Sequence, residues 1–564
     1  MSHSLPPALA LFVAAGLLPF CRPGSPIRAA LLLVAPAVAL AAVWTLPEGE
    51  LLAFDYLGFH LVPLRVDALS RLFATIFTIM AFAGALFALN QARTTELVAA
   101  FVYAGSAVGV TFAGDLITVL VFWELMAIAS ALLIWSAQTP AAFRASLRYL
   151  MIHLLGGMVL MVGILTFATQ TGSIAFNAMR PDGVATWLIL IGFLINAGAP
   201  PLSAWLPDAY SEASWSGTVF LSAFTTKTAV YTLLRGFPGA EILVVIGIYM
   251  ILYGIIYALL ENDMRRILAY SIINQVGFMV TGIGIGTDMS LNGAAAHAFA
   301  HIIYKALLLM SAGSVLLMTG RRKCSELGGL FQSMPLTTVC GIVGALAISA
   351  FPLTSGFVTK SMINQAAGDQ HLAIAWLLLT AGSAGVFLHA GIKFPWFVFF
   401  QKDSGLRPPD PPWNMRAAMV LFAALCIGIG IVPGPLYAIL PYAVDYHPYS
   451  TGHVLELLQL LLFSGLAFFL LLPLMKRTPT ITLDFDWIYR KILPAALARI
   501  YGVCAPADRM LRRSAKRLVS LLTTQISRHY GPAGAVARTL TAGNMTVWVV
   551  IMLAVYLIAY FISR

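Results

Sequence analysis

The sequence predicts an all-α polytopic membrane protein, and three observations predict it. Of the 564 residues, 60% are hydrophobic and only 10% are charged, a balance that excludes a soluble globular domain. Apolar runs long enough to cross a bilayer, bounded by Pro, Gly or charge, recur from one end of the chain to the other. Several runs carry an ionisable side chain near the middle, where insertion costs roughly 2.5–3.5 kcal/mol and function is the default reading.

In chain order, spans are expected near residues 5–20, 28–46, 66–90, 95–113, 115–136, 146–170, 184–206 and 214–235. Further spans are expected near 241–260, 266–286, 290–318, 335–367, 371–400, 415–435, 453–474 and 545–563. Pro200-Pro201 interrupts the seventh run, and Phe351-Pro352 with Gly356 interrupts the twelfth. Broken helices survive at membrane depth only where protein or water satisfies the freed backbone groups, and they often mark transport sites. Asn196 precedes the first break and Lys227 follows at nearly the interval that separates Lys360 from Lys393 beyond the second, a spacing that fits two related halves. The chain is therefore divided into N-terminal membrane helices (1–90), two repeats (95–235 and 241–400), additional membrane helices (415–475), an amphipathic surface segment (476–540) and a final span (545–563). The first run lacks the basic flank of a signal peptide and is read as a retained span.

The net charge of +11 does not point to nucleic acid, because the basic residues lie between apolar runs and near the C-terminus, where lipid headgroups and the positive-inside rule account for them. Loops after even-numbered spans hold only Arg65, Arg71, Arg180 and Arg235, whereas those after odd-numbered spans are richer, so the N-terminus is expected outside a bacterial-type inner membrane. Between the last two spans, Arg490, Lys491, Arg499, Arg509, Arg512, Arg513, Lys516, Arg517, Arg528 and Arg538 alternate with Leu, Ile and Val, as in a helix lying on the cytoplasmic surface. Five cysteines (Cys21, Cys324, Cys340, Cys426 and Cys504) form no C-x-x-C, so neither a metal nor a redox cofactor is expected.

The run from Leu291 to Met318 holds His297, His301 and Lys305 at four-residue spacing, which places all three on one helix face. A zinc pair is disfavoured because no carboxylate or cysteine lies nearby to complete a tetrahedral shell. The stripe is read as part of a proton or ion path. Glu124 in Phe122-Trp123-Glu124-Leu125-Met126 and the apolar-flanked Lys227 and Lys360 join it, because burial favours the neutral form of an acid or an amine and brings both toward proton exchange. His153 and His389 are lone polar positions, read as structural.

These residues resemble a known family. Phe122–Met126, Trp205-Leu206-Pro207-Asp208-Ala209, Thr226-Lys227-Thr228-Ala229, Arg266-Ile267-Leu268-Ala269-Tyr270-Ser271, the histidine stripe and Gly356-Phe357-Val358-Thr359-Lys360 are similar to the antiporter-like subunits of respiratory complex I and of Mrp cation/proton antiporters, most like an Mrp D-type subunit. The resemblance spans roughly residues 60–400 and implies about 14 core helices with inverted repeats around a mid-membrane polar axis. It assigns that axis to Glu124, Lys227, His297, His301, Lys305 and Lys360, and the repeat spacing adds Lys393 to the expected path. Where the family has a lysine facing the glutamate this chain has Asn196, and an amide cannot titrate. The expectation is a neutral Glu124 hydrogen-bonded to Asn196, and transport resting on the other residues.

The function expected is proton, or Na+/H+, translocation within a multisubunit membrane complex of Mrp or complex I type, with other membrane subunits and the lipid bilayer as partners and no cofactor of its own. An NADH:quinone oxidoreductase-like assembly would make the chain part of an enzyme. The alternative is a structural subunit that has lost transport and anchors a redox or CO2-hydrating partner.

Overall fold

The computed structural model describes residues 6–473, 484–531, 534 and 541–563. It forms two units, Met1–Asp486 and Trp487–Arg564. The first opens with α1 (Pro7–Leu17) and α2 (Pro26–Thr45), and then a β-hairpin of β1 (Gly49–Tyr56) and β2 (Phe59–Val66). The apolar periodicity of the sequence does not announce this hairpin. Leu57 and Gly58 both take positive φ, the geometry of a tight two-residue hairpin turn. Along β2 Val62, Leu64 and Val66 are buried, and Asp115 accepts from the Val62 N–H at 2.7 Å, fixing the hairpin to the start of the fifth helix.

The helices continue as α3 (Ala68–Phe87), α4 (Thr94–Phe112), α5 (Leu116–Trp135), α6 (Pro140–Thr171), α7 (Val184–Ala197), α8 (Trp205–Tyr210), α9 (Gly217–Leu221), α10 (Thr225–Gly236), α11 (Ile242–Leu260), α12 (Met264–Ile285) and α13 (Asp288–Thr319). After them come α14 (Pro335–Ile348), α15 (Ser355–Asp369), α16 (Ala373–Val386), α17 (Trp413–Ile431), α18 (Gly434–Tyr437) and α19 (Thr451–Leu471). Among the described residues twelve helices are long and apolar enough to cross a membrane, and Pro7–Phe20, Val184–Ala197 and Pro335–Ile348 are shorter apolar segments. The all-α polytopic fold is thus the observed one.

Both expected breaks are present. α7 ends at Ala197 and the chain resumes as α8 after a cis Pro200-Pro201 bond, while α14 and α15 are separated by residues 349–354. A third break has no sequence signal: the predicted span 214–235 is two helices, α9 and α10, with Ser222-Ala223-Phe224 between them. No Pro or Gly marks it. The predicted span 371–400 also departs from a plain α-helix, winding as π-helix over Phe387–Lys393 and Trp396–Phe400.

At the centre, α12 packs between α11 and α13 and is buried along nearly its whole length. Its approach to α11 depends on glycines: a Cβ on Gly277 would lie 2.6 Å from the Gly247 carbonyl oxygen. Small residues at such crossings let helix backbones meet where lipid offers no hydrophobic drive. Asp484 docks on the same pair of helices, accepting hydrogen bonds from the hydroxyls of Tyr253 (2.6 Å) and Tyr270.

The second unit holds α20 (Leu493–Tyr530), preceded by a π turn over Ile488–Ile492, and α21 (Ala542–Ile562). α20 repeats exposed apolar residues, among them Leu497, Ile500, Leu511, Leu518, Leu522 and Ile526, at near-helical intervals between its arginines and lysines. The rest of the predicted 476–540 segment, Arg538 included, lies partly outside the described residues.

Candidate functional site

Lys227, His297, His301 and Lys305 are fully buried, and Lys360 and Lys393 almost so. Among the described residues none of the four lysines is ion-paired with a carboxylate. A buried ammonium still needs acceptors, and the helix breaks supply them. Lys227 lies in the first turn of α10, where the helix dipole disfavours a cation. Its Nζ turns back instead to the Ser222 carbonyl at the end of α9 (2.6 Å) and to Thr226 Oγ1 (3.0 Å). Lys360, near the start of α15, reaches back in the same way to the Ile348 carbonyl that ends α14 (3.5 Å), with its Nζ 5.0 Å above the Phe278 ring. Lys393 donates to the Ala258, Leu259 and Glu261 carbonyls at the end of α11, at 3.1, 2.6 and 2.6 Å. Each of these three lysines therefore meets the negative end of a helix other than its own.

The histidine stripe faces α12 and α15, as its spacing required. His297 has Gln275 Oε1 3.0 Å from Nε2 and Thr359 Oγ1 3.1 Å from Nδ1, so a protonated ring finds an acceptor on each nitrogen. One turn on, neither nitrogen of His301 has a partner. Lys305 Nζ donates to Ser271 Oγ at 2.8 Å. Lys227 is within electrostatic reach of His297, His301 and Lys305, and Lys360 is within reach of His297. The structure thus brings Lys227, the stripe and Lys360 into one connected group.

Glu124 stands apart from that group, half-buried on α5 against α6. A Cβ on Gly157 would overlap its Oε1 atom, and one on Gly156 would lie 3.7 Å from Asn196 Oδ1. The expected Glu124–Asn196 hydrogen bond is not formed. Both polar atoms of Asn196 and the Oε1 of Glu124 lack partners, because each side chain abuts its own glycine of α6 rather than the other.

The hydroxyls around Lys227 carry no signal in the sequence. Thr225 Oγ1 is 2.6 Å from the Tyr103 hydroxyl and 3.2 Å from that of Tyr149, which in turn is 2.9 Å from Ser130 Oγ. Their four helices bring them together from distant parts of the chain, and no local pattern announces that. Nearby, buried Glu96 accepts from Ser214 (2.6 Å), Ser216 and Gln91 (3.1 Å), tying the loop between α8 and α9 to α4.

The chain is similar to several known membrane proteins. Residues 113–387 match the transmembrane family described as NADH:quinone oxidoreductase/Mrp antiporter. The chain is 31% identical over 401 residues to the A/B component of a probable K(+)/H(+) antiporter of Rhizobium meliloti, covering 66% of this chain and 40% of that protein. It is 29% identical over 350 residues to the D component of the Na(+)/H(+) antiporter of Alkalihalophilus pseudofirmus, covering 58% and 71%. The match thus spans under half of the first relative's length. Among solved structures, the Mrp complex from Dietzia sp. superposes with a TM-score of 0.77 at 22% identity, over 92% of this chain and 62% of that one. An archaeal membrane-bound sulfane sulfur reductase superposes with a TM-score of 0.71 at 24% identity, over 98% and 99%. These two likenesses are likenesses of fold.

Proposed function

Since the chain belongs to the antiporter-like family of membrane subunits shared by complex I and Mrp antiporters, we propose that it moves protons across the membrane as one member of a multisubunit complex, with Mrp D-type character. The observation that carries the reading is the paired placement of Lys227 and Lys360. Both are buried without a counter-carboxylate among the described residues, and both rest on the carbonyl end of an interrupted helix. A lysine held this way can lose its proton and regain it, because the carbonyl stabilises the ammonium without neutralising it. The stripe lies between the two: His297 has an acceptor for each ring nitrogen, and His301 keeps both nitrogens unengaged. The proposed order is Lys227, His301, His297 and Lys360, with Lys305 and Lys393 beside it and Glu124 serving the N-terminal half.

In the proposed setting the chain lies in a bacterial-type inner membrane with its N-terminus outside. Its partners are other membrane subunits, and the cation exchanged for protons is monovalent, as in the names of the two antiporter relatives. The test is replacement of Lys227 or Lys360 by Arg, which keeps charge and bulk but does not deprotonate. Each variant should assemble, yet lower proton movement in inverted vesicles by about 10²-fold, the usual contribution of a positioned proton-transfer group. Full activity in both would refute a titrating role.

A further inference from the structure

We propose that His153 on α6 is the proton-exchanging group of the N-terminal half, occupying the role that Asn196 cannot fill. The inference rests on the transport reading above and adds a residue to it. His153 is fully buried, and its Nδ1 lies 2.9 Å from the Tyr149 carbonyl oxygen one turn earlier. A carbonyl only accepts, so Nδ1 carries the hydrogen and the lone pair of the neutral ring is on Nε2. That Nε2 is buried and has no partner.

The surroundings gather around this nitrogen's helix face. His153 and Gly157 are four residues apart on α6, a spacing that brings Cβ positions within about 5–6 Å on one face. The Oε1 atom of Glu124 occupies the place of a Gly157 side chain, and Asn196 lies against Gly156 beside it. Glu124 from α5 and Asn196 from α7 therefore lie against α6 one turn beyond His153, and two of the three can titrate. On the other side the His153 ring stacks on Tyr149 with centroids 3.9 Å apart and meets the Trp205 ring at 4.5 Å. Aromatic rings so placed stabilise an imidazolium. The Tyr149 hydroxyl shares Thr225 Oγ1 with Tyr103, and the adjoining Thr226 bonds the Lys227 ammonium. The remaining charged neighbours on α6 and α8, Arg148 and Asp208, are bound to each other at 2.7 Å.

The step balances as a proton transfer. Once the two side chains close the turn of α6 that separates them, Nε2 takes the proton of the Glu124 carboxyl, leaving a carboxylate and an imidazolium whose Nδ1–H stays on the Tyr149 carbonyl. The same Nε2 then gives up its proton toward a neutral Lys227, which becomes the ammonium, on the side where Thr225, bonded to the Tyr149 hydroxyl, adjoins the Thr226 that Lys227 contacts. A residue placed only for packing would leave a buried ring nitrogen unsatisfied at a cost of about 1–3 kcal/mol, which phenylalanine would avoid.

The experiment compares proton movement in inverted vesicles by the complex with the unaltered chain, His153→Gln, Asn196→Lys with His153→Gln, and Lys360→Ala. His153→Gln should assemble and lose about 10²-fold in rate. Adding Asn196→Lys should restore the rate to within about tenfold of the unaltered complex, because a titratable amine then faces Glu124. Rescue by a lysine on a different helix would not follow if the histidine served only to pack against Tyr149 and Trp205. If His153→Gln does not assemble, His153→Phe, which keeps the ring stack, is read in its place. Full rate in the assembled His153 variant, or loss that Asn196→Lys does not restore, overturns the relay while transport abolished by Lys360→Ala leaves the function standing. A complex that moves no protons with the unaltered chain overturns both.

Discussion

At the scale of single residues, the membrane interior magnifies small differences in side-chain volume. Glu124 is seated by the absence of a side chain at Gly157, so its geometry depends on hydrogen and not on a partner. Gly157→Ala should displace the carboxyl and lower proton movement as far as Glu124→Gln does, with an overpacking cost of about 1–3 kcal/mol. Gly156→Ala meets Ile195 Cγ2 at 3.2 Å, a contact that a small side-chain shift relieves, and should cost less. Rates in the same vesicle assay and thermal midpoints of the purified complex check both. If Gly157→Ala moves protons at the unaltered rate, the seat of Glu124 does not matter to transport.

At the scale of elements, interrupted helices turn backbone into site. The carbonyl ends at Ser222, Ile348 and Glu261 each receive a lysine, yet the three lysines are held differently. Lys393 has three carbonyl acceptors and Lys360 has one distant one. Lys393→Ala should therefore leave buried acceptors unpaired and lower stability by at least about 1–3 kcal/mol. Lys360→Ala removes an unpaired buried charge with its weak bond, and should lose transport with little fall in the thermal midpoint. Equal thermal losses for the two would contradict this division. The breaks at Pro200-Pro201 and Phe351-Pro352 were legible because proline cannot continue the hydrogen-bond ladder. The break at Ser222–Phe224 was not, because it arises from tertiary packing around Tyr103, Thr225 and Lys227 that no residue of the segment encodes alone. The stripe was legible because three polar groups at four-residue spacing have one geometric outcome in a helix. The hairpin was hidden by its position between two spans, and the supposed Glu124–Asn196 bond by α6, whose glycines separate the two side chains.

At the scale of the whole molecule, the asymmetry of basic residues between alternate loops predicts the orientation proposed above, and the structure decides which cysteines can report it. Cys324, Cys340 and Cys426 are buried, so Cys324, cytoplasmic by loop charge, is shielded from reagents on either side. Cys504 is exposed on α20 and Cys21 is partly exposed, and the orientation proposed from loop charge predicts that both face the cytoplasm. On the hairpin, predicted to face outward, Tyr56 is 61% exposed and accepts a cysteine without disturbing the buried face of β2. A membrane-impermeant maleimide added to intact cells should label Tyr56→Cys and leave Cys504 and Cys21 unmodified, and inverted vesicles should reverse the pattern. This single comparison tests the proposed orientation of the chain. Labelling of Cys504 from outside intact cells would invert that assignment.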